Sequence, residues 1–339
     1  MSEYHHWDDG KIHDKNRLQE LRELPLERKV GITLARITEW YQAYNGQVYV
    51  SFSGGKDSTV LLYLARSLFP DIKAVFIDTG LEYPEIRKFA TSFPNVTVLR
   101  PEMRFDEVIK RYGYPIISKE VAQKISEYRS KPDGYTAVRF ENDNPHCLKY
   151  GSRYSLFKWK PLRDSNIPIS HKCCKVMKKT PALRYEKLTG EHPIIATLTE
   201  ESSLRRSDWL RHGCNAFDAR RPKSNPMSFW TEQDVLRYIK TKQFSIASVY
   251  GEVVQDKHGK YKTTGCTRTG CIFCGFGCHN ESPGRFELLK ETHPRQYDYC
   301  IGGGEFGANG MWQPNRNGLG LGYVFDLLNE MYGTDFVKY

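Results

Sequence analysis

The sequence has no apolar run long enough to span a bilayer, no internal repeat and no low-complexity tract. The segment Met1 to Lys15 is polar and lacks the apolar stretch of a signal peptide. These absences argue against a membrane-spanning, repetitive or secreted protein, and we expect a cytoplasmic one. The chain has 339 residues, of which 39% are hydrophobic and 27% charged, a composition typical of one large or two modest globular domains.

Acidic residues are in deficit. The sequence has 50 Lys and Arg against 40 Asp and Glu, which gives a formal net charge of +10. Such a balance favours an anionic partner, such as a nucleotide, a nucleic acid or another anionic acceptor. A solvated basic surface without a partner would have the same composition.

Neither the Walker loop nor the dinucleotide fingerprint fits the stretch with the strongest phosphate-binding character. That stretch stands between a predicted strand at Gln47–Val50 and a predicted helix beginning at Thr59. It reads Ser53, Gly54, Gly55, Lys56, Asp57 and Ser58. The glycines permit close approach of the main chain, and the helix N-terminus attracts an anion. We predict a phosphate loop with Ser53, Asp57 and Ser58 as caps of the first helical turn; a plain Gly-Gly turn is the alternative.

A second predicted strand, Ile72–Asp78, completes a βαβ unit and therefore indicates a parallel sheet. Because ligands of such sheets bind beyond the carboxyl ends of the strands, we expect Asp78, Thr79 and Gly80 to face the same crevice as the loop. The alternative for Asp78 is a helix cap. Further strands are predicted at Asn95–Leu99 and Ile194–Thr197.

These elements predict an α/β fold with a doubly wound, mostly parallel sheet. The predicted domains are an N-terminal helical segment (1–46), a nucleotide-binding α/β domain (47–245) and a cysteine-rich, irregular or helical C-terminal region (246–339) that packs on the site.

The loop, followed by Asp78-Thr79-Gly80 and Pro84-Glu85, resembles the phosphoadenylylsulfate (PAPS) reductase family of the ATP-pyrophosphatase superfamily, in its phage and prophage branch. The segment Ile116–Val121 and the Trp230-Thr231 helix start agree with that family. The resemblance implies an adenine-nucleotide site that includes Arg205, with Mg²⁺ bridging the phosphates. Where the family often has an arginine, this chain has Leu198, and we expect Arg205 and Arg206 to compensate.

Most of the nine cysteines fall into two groups, Cys173-Cys174 and a Gly-rich stretch with Cys271-x2-Cys274. The latter spacing suits metal chelation. The tandem pair together with Cys271 and Cys274 resembles the [4Fe–4S] site of assimilatory adenylylsulfate (APS) reductases, which implies these four ligands. Zinc and free thiols are the alternatives. Two further cysteines in the stretch are rival ligands: Cys266 and Cys278.

Basic residues next to these cysteines, such as Lys172, Lys178 and Arg268, are expected to favour thiolates and to attract an anionic substrate. Cys147 and Cys214 are expected to be buried small residues. Cys300, in Gly-rich surroundings, is the candidate nucleophile.

The family's chemistry divides into two branches. In the first, a C-terminal cysteine motif attacks a sulfonucleotide such as PAPS or APS and releases sulfite; Gly318 to Tyr339 contains no such motif. In the second, ATP is split to pyrophosphate and AMP, and the AMP activates an acceptor for sulfur transfer. The sequence favours the second branch, with a sulfur or electron donor protein as a further partner. A sulfonucleotide reductase and a non-catalytic nucleotide sensor are the alternatives.

Overall fold

The computed structural model describes residues 13–141 and 154–339. Cys147, whose burial was predicted, lies outside these residues. The helices, in chain order, are α1 (Lys15–Glu23), α2 (Leu26–Ala43), α3 (Lys56–Leu68), α4 (Pro84–Thr91), α5 (Phe105–Tyr112), α6 (Lys119–Ser130), α7 (Lys160–Asp164), α8 (Thr180–Thr189), α9 (Ser203–His212), α10 (Glu232–Lys242), α11 (Arg285–Thr292), α12 (Pro294–Ile301) and α13 (Leu321–Tyr332).

The strands are β1 (Val48–Ser51), β2 (Lys73–Ile77), β3 (Val96–Leu99), β4 (Ile116–Ile117), β5 (His192–Ile195), β6 (Asn215–Ala216), β7 (Lys223–Ser224), β8 (Val253–Gln255), β9 (Tyr261–Thr263), β10 (Gly275–Phe276), β11 (Glu305–Phe306) and β12 (Trp312–Gln313). None of the helices in the described part of the chain is long and apolar enough to cross a bilayer.

The chain forms two compact units. The first extends to Asp78 and also contains Glu82–Leu99 and Ala182–Thr269; the second contains Thr79–Leu81, Arg100–Pro181 and Gly270–Tyr339. This division differs from the predicted boundaries, which placed residues 100–181 in the nucleotide-binding domain and 246–269 in the C-terminal region. The physical reason for the first difference is that β4 pairs in parallel with β10, so residues near 116 fold with those near 275.

The first unit contains a six-stranded sheet with the order β3-β2-β1-β5-β7-β6. All neighbouring strands are parallel except β6 and β7. Strand β1 lies inside this sheet, and its Val48, Tyr49 and Val50 are buried, as expected for a strand covered on both faces. The predicted α/β class with a mostly parallel sheet is therefore confirmed.

Helices pack on this sheet through apolar residues at helical spacing. Ile37 and Trp40 of α2 are fully buried, as are Leu61 and Leu62 of α3. Pro25 separates α1 from α2. The chain leaves α2 through Asn45 and Gly46, both with positive φ, a conformation typical of a helix stop. This packing holds the carboxyl end of β1 and the start of α3 in place.

Candidate nucleotide site and candidate metal centre

The predicted phosphate loop connects β1 to α3 in a tight turn. Gly54 has a φ of +71°, and a Cβ there would lie 3.0 Å from the Ile86 side chain and 3.0 Å from its carbonyl oxygen. A larger residue would therefore be strained and would clash. Asp78 follows β2, the neighbour of β1 in the sheet, so the loop and Asp78 lie at the same edge of the parallel strands.

The predicted capping of α3 by Ser53, Asp57 and Ser58 is wrong. The N-cap is Gly55, and none of these three side chains caps the helix. Instead, the Ser58 hydroxyl accepts a hydrogen bond from the Ser53 amide at 3.1 Å and lies 3.0 Å from the Gly55 carbonyl oxygen. The serines thus close the loop on itself, and the positive end of the helix stays without a side-chain cap of its own.

Lys56 is buried at the start of α3, with 5% of its surface exposed. Its ammonium lies 3.1 Å from a Glu232 carboxylate oxygen and donates to the Thr267 carbonyl at 3.2 Å. Burial favours the neutral amine, but Asp57 and Glu232 outweigh this effect, and the pKa of Lys56 is raised. The side chain is therefore a permanent positive charge beside the loop.

Asp57 provides the opposite charge. Its pKa is raised by burial, with Lys56 and Arg268 acting in the opposite direction. Its Oδ1 atom is buried without a hydrogen-bond partner in the described part of the chain. Among the described residues, this buried carboxylate oxygen is therefore available to a cation or to a ligand hydroxyl.

Two arginines accompany the loop. Glu201 forms ion pairs with Arg205 and, at 2.8 Å, with Arg268. Both guanidinium groups interact electrostatically with Asp57. Burial lowers the pKa of Arg205, and the charge of Arg268 lowers it further. Glu201 therefore holds two like charges together at the site.

Arg206, which the sequence predicted beside Arg205, is exposed on α9 and has Arg22 as a charged neighbour. The second arginine near the loop is instead Arg268, which the sequence analysis had grouped with the cysteines. Leu198, at the position where the family often has arginine, is buried with 2% exposure.

Asp78 is buried and forms an ion pair with Arg87 of α4 at 2.9 Å. It is not the cap of that helix, whose N-cap is Tyr83. In the second unit, the Thr79 hydroxyl accepts from the Leu81 amide at 3.2 Å, and Gly80 has a φ of +73°. These two residues form a tight turn, and their predicted contact with a nucleotide stays a prediction.

Sequence reasoning missed Glu232, Tyr250 and Thr269, which all lie around Lys56. Thr231 and Asp234 form a capping box at the predicted start of α10, and Glu232 lies between them. Tyr250 accepts a hydrogen bond from the Lys56 amide at 3.3 Å and hydrogen-bonds to Thr269. No motif marks these residues, because only the fold brings them to a loop some two hundred positions earlier in the chain.

In the second unit, Cys173 and Cys174 begin a helical segment that continues as a π-helix over Lys175–Lys179. Such π-turns are frequent at functional sites. None of the eight described cysteines forms a disulfide. The pKa of Cys174 is lowered by a hydrogen bond with Cys173, and Lys119 and Lys178 add to this effect. The pKa of Cys173 is raised by the same hydrogen bond and by burial, with Cys271 and Cys274 contributing.

A short backbone pairing positions the turn that carries Cys271 and Cys274. Gly275 and Phe276 pair with Ile116 and Ile117, and a Cβ on Gly275 would lie 2.9 Å from the Pro115 carbonyl oxygen. Ile117 has a φ of +64°, which is strained for a β-branched residue. Arg285 donates to the Cys274 carbonyl at 2.9 Å. The turn is thereby attached to the segment that precedes Lys119.

The donor set at this centre consists of thiols. Cys271 and Cys274 both interact electrostatically with Cys173, so the two predicted cysteine groups lie near one another in the second unit. Among the described residues, no three or more His, Cys, Asp or Glu side chains are arranged to hold one metal ion. The thiol-only set and the positive charge of Lys119 and Lys178 are compatible with an iron–sulfur cluster, which is larger than a single ion.

The remaining cysteines have other surroundings. Cys278 is buried, with its thiol 3.2 Å from the Gly275 carbonyl, and burial raises its pKa to about 12. Cys266 belongs to the first unit, where it has a side-chain hydrogen bond with Tyr83. Cys214 is buried beside Ser228, as predicted.

Cys300 does not lie in a mobile glycine segment but inside α12, fully buried, and burial raises its pKa well above the ordinary value. This environment disfavours the predicted role as nucleophile, since a buried thiol is neither accessible nor ionised.

Comparison with known proteins identifies the family of this chain. Residues 47–275 match the family model of the phosphoadenosine phosphosulfate reductase domain. An uncharacterized protein of Methanocaldococcus jannaschii is 36% identical over 296 residues, which cover 86% of this chain and 56% of that protein. An adenosine 5'-phosphosulfate reductase of Bacillus cereus is 31% identical over 84 residues, covering 23% of this chain and 36% of that enzyme.

A solved phosphoadenylyl-sulfate reductase from Candida auris shares 16% identity with a TM-score of 0.35, over 73% of this chain and 97% of that one. The chain spans about half the length, or less, of the curated relatives it matches. Because the family model covers well over half of the residues, the chain belongs to the PAPS reductase family.

Proposed function

We propose that this protein binds ATP at the loop Ser53–Ser58 and splits it into pyrophosphate and AMP, so that the AMP activates an acceptor for sulfur transfer. The observation that carries this choice over sulfonucleotide reduction is the burial of the cysteines. Among the described residues, the thiols with partial exposure are Cys174, Cys271 and Cys274, the predicted cluster ligands. A separate accessible thiol that could attack a sulfonucleotide and release sulfite is missing from this part of the chain.

The charges around the loop suit a triphosphate. The Lys56 ammonium and the start of α3 would bind the terminal phosphates, while Arg205 and Arg268 neutralise further negative charge. Mg²⁺, when bound, would neutralise negative charge of the phosphates, and the Asp57 carboxylate oxygen, which has no hydrogen-bond partner among the described residues, would be its ligand. Glu232 keeps Lys56 charged and oriented until the phosphates arrive.

The reaction balances without an oxidant. An oxygen of the acceptor attacks the α-phosphorus of ATP, the bond to pyrophosphate breaks, and any proton of the acceptor goes to water. A hydrosulfide donor then displaces AMP from the acceptor carbon, which forms the carbon–sulfur bond. The acceptor is an anionic molecule, with nucleic acid favoured by the net charge of +10.

The second unit would hold a [4Fe–4S] cluster through Cys173, Cys174, Cys271 and Cys274. Such a cluster would supply a site for the incoming sulfur or a path for electrons. Lys119 and Lys178 favour the ionised form of Cys174, the form that binds iron.

The second candidate function is a sulfonucleotide reductase. It is favoured by the similarity to relatives named adenosine 5'-phosphosulfate reductase. In that case the nucleophile would come from the tandem pair, and an external dithiol would supply the two electrons that release sulfite.

One experiment separates these functions. Anaerobically prepared protein is incubated with ATP and nucleic acid as the acceptor, or with PAPS, and pyrophosphate and sulfite are both measured. Pyrophosphate from ATP without sulfite from PAPS supports the proposal. Sulfite release with thioredoxin as reductant overturns it in favour of the reductase, and nucleotide binding with neither product indicates a nucleotide sensor.

A further inference from the structure

A chain of hydroxyl groups runs from the backbone of the phosphate loop to the side chain of Thr269. The amide of Lys56 donates to the Tyr250 hydroxyl at 3.3 Å, and this hydroxyl forms a short hydrogen bond with the Thr269 hydroxyl. All three residues belong to the first unit. Tyr250 has 2% of its surface exposed, whereas Thr269 is half-buried.

The burial of Tyr250 determines which of the two hydroxyl groups is the hydrogen-bond donor. The Tyr250 oxygen already accepts from Lys56, and a buried hydroxyl hydrogen needs an acceptor of its own. The described acceptor within reach is the Thr269 oxygen. By this argument Tyr250 donates to Thr269, and the Thr269 hydroxyl keeps its own hydrogen for donation to another group.

The two hydroxyls lie directly over the loop. A Cβ placed on Gly55 would be 3.3 Å from the Tyr250 oxygen and 3.8 Å from the Thr269 oxygen. The residues before Thr269 also face the loop, since Lys56 donates to the Thr267 carbonyl and Arg268 interacts with Asp57. Positively charged side chains and a hydroxyl donor thus lie beside the same loop. This combination of groups binds phosphate oxygens.

We propose that Thr269 donates a hydrogen bond to the pyrophosphate part of the bound nucleotide, and that Tyr250 is the positioning residue that aims it. This inference rests on the proposed nucleotide binding and adds a phosphate contact from a segment that carries no phosphate motif. It also explains the side chain at position 250, because phenylalanine would fill the same space but would leave the Lys56 amide and the Thr269 hydroxyl without their shared partner.

The test measures binding of inorganic pyrophosphate and of adenosine by calorimetry to the full chain. Thr269→Val removes the hydroxyl and keeps the shape, and a lost hydrogen bond to a charged group predicts roughly 10-fold weaker pyrophosphate binding. Thr269→Ser keeps the hydroxyl and should bind within about twofold of the wild type. Tyr250→Phe should weaken pyrophosphate binding about fivefold through misdirection of Thr269. Adenosine, which has no phosphate, should bind all of them equally.

The matched control is Thr264→Val. The Thr264 hydroxyl lies on the same segment but accepts from the Glu252 amide at 2.9 Å, so its loss should leave pyrophosphate binding unchanged. Thermal unfolding of each variant verifies that the fold is intact.

The possible results are distinguishable. Thr269→Val with wild-type or tighter pyrophosphate binding overturns the inference, and tighter binding would mean that the hydroxyls obstruct the loop. A Thr269→Ser variant as weak as Thr269→Val also overturns it, because the hydroxyl would not be the active group. Unchanged binding in Tyr250→Phe removes the positioning role alone. A wild-type protein that binds neither pyrophosphate nor ATP instead refutes the proposed function.

Discussion

The two units of this protein carry their chemistry in different ways. In the first unit, a continuous loop between β1 and α3 is completed by charged side chains that already have partners, as Lys56 has Glu232 and as Arg205 and Arg268 have Glu201. In the second unit, Cys173 interacts with Cys174 and with Cys271 and Cys274 from a distant segment, and Lys119 and Lys178 place positive charge beside Cys174. The first arrangement suits an anion that binds reversibly, and the second suits a permanently bound cluster of a soft metal.

This difference has a consequence for mutation. At the proposed nucleotide site, each charged side chain can be removed singly with a graded loss of nucleotide affinity, because several groups would share the bound anion. A ligand of a cluster cannot be removed without loss of the cluster or of its fold, since metal binding and folding are coupled. The predictions below test this contrast.

The largest effect is expected for Cys271→Ser. The variant should lose the iron and the visible absorbance of the anaerobic protein, while ATP binding at the first unit should persist. The control is Cys214→Ser, whose thiol lies beside Ser228 in the first unit and should not affect iron content. A colourless wild-type protein that contains stoichiometric zinc would contradict the iron–sulfur proposal.

The next effect is expected for Lys56→Met. Loss of a charge-assisted bond to phosphate costs about 2 kcal/mol, or roughly 30-fold in ATP affinity measured by calorimetry. Iron content should stay unchanged. Equal ATP affinity in the variant and the wild type would show that the loop is not the phosphate site.

A smaller effect is expected for Thr231→Ala, which removes the N-cap of α10. The Thr231 hydroxyl accepts from the Asp234 amide at 3.2 Å, and loss of such a cap lowers the free energy of unfolding by about 1 kcal/mol. Chemical denaturation measures this change. In the control, Thr38→Ala removes a bond to the Leu34 carbonyl within α2 and should be nearly neutral. A Thr231→Ala variant as stable as that control would mean that the cap contributes nothing.

The smallest effect is expected for Glu232→Gln. Glu232 is a negative charge 3.1 Å from the Lys56 ammonium, and its carboxylate is about half exposed. Its neutralisation should strengthen ATP binding about threefold, because the repulsion of the phosphates ends and a partly exposed ion pair is worth only a few tenths of a kcal/mol to about 1 kcal/mol. The gain should shrink at high salt. Weaker binding would instead assign Glu232 to a bound cation.

Much of the first unit could be predicted from the sequence. The apolar strand Val48–Ser51, the Gly-Gly turn and the following helix are set by local preferences and by burial, so that β1, the loop and α3 were found within a few residues. The helix start at Thr231 was also found. In the second unit, the Cys173-Cys174 and Cys271-x2-Cys274 groups could be recognised in the sequence from the spacing of the cysteines.

The tertiary structure decided what surrounds these motifs. Glu232, Tyr250, Arg268 and Thr269 reach the loop because α10 and the segment up to residue 269 return to it within the first unit, and no local pattern encodes that return. It also decided that Gly55 rather than a serine caps α3, and that Cys300 is buried inside a helix. Local sequence determines which elements form, since neighbouring residues set backbone preference and apolar periodicity. The partners of a charged side chain depend on contacts between residues far apart in the chain, and these exist only after the core has packed.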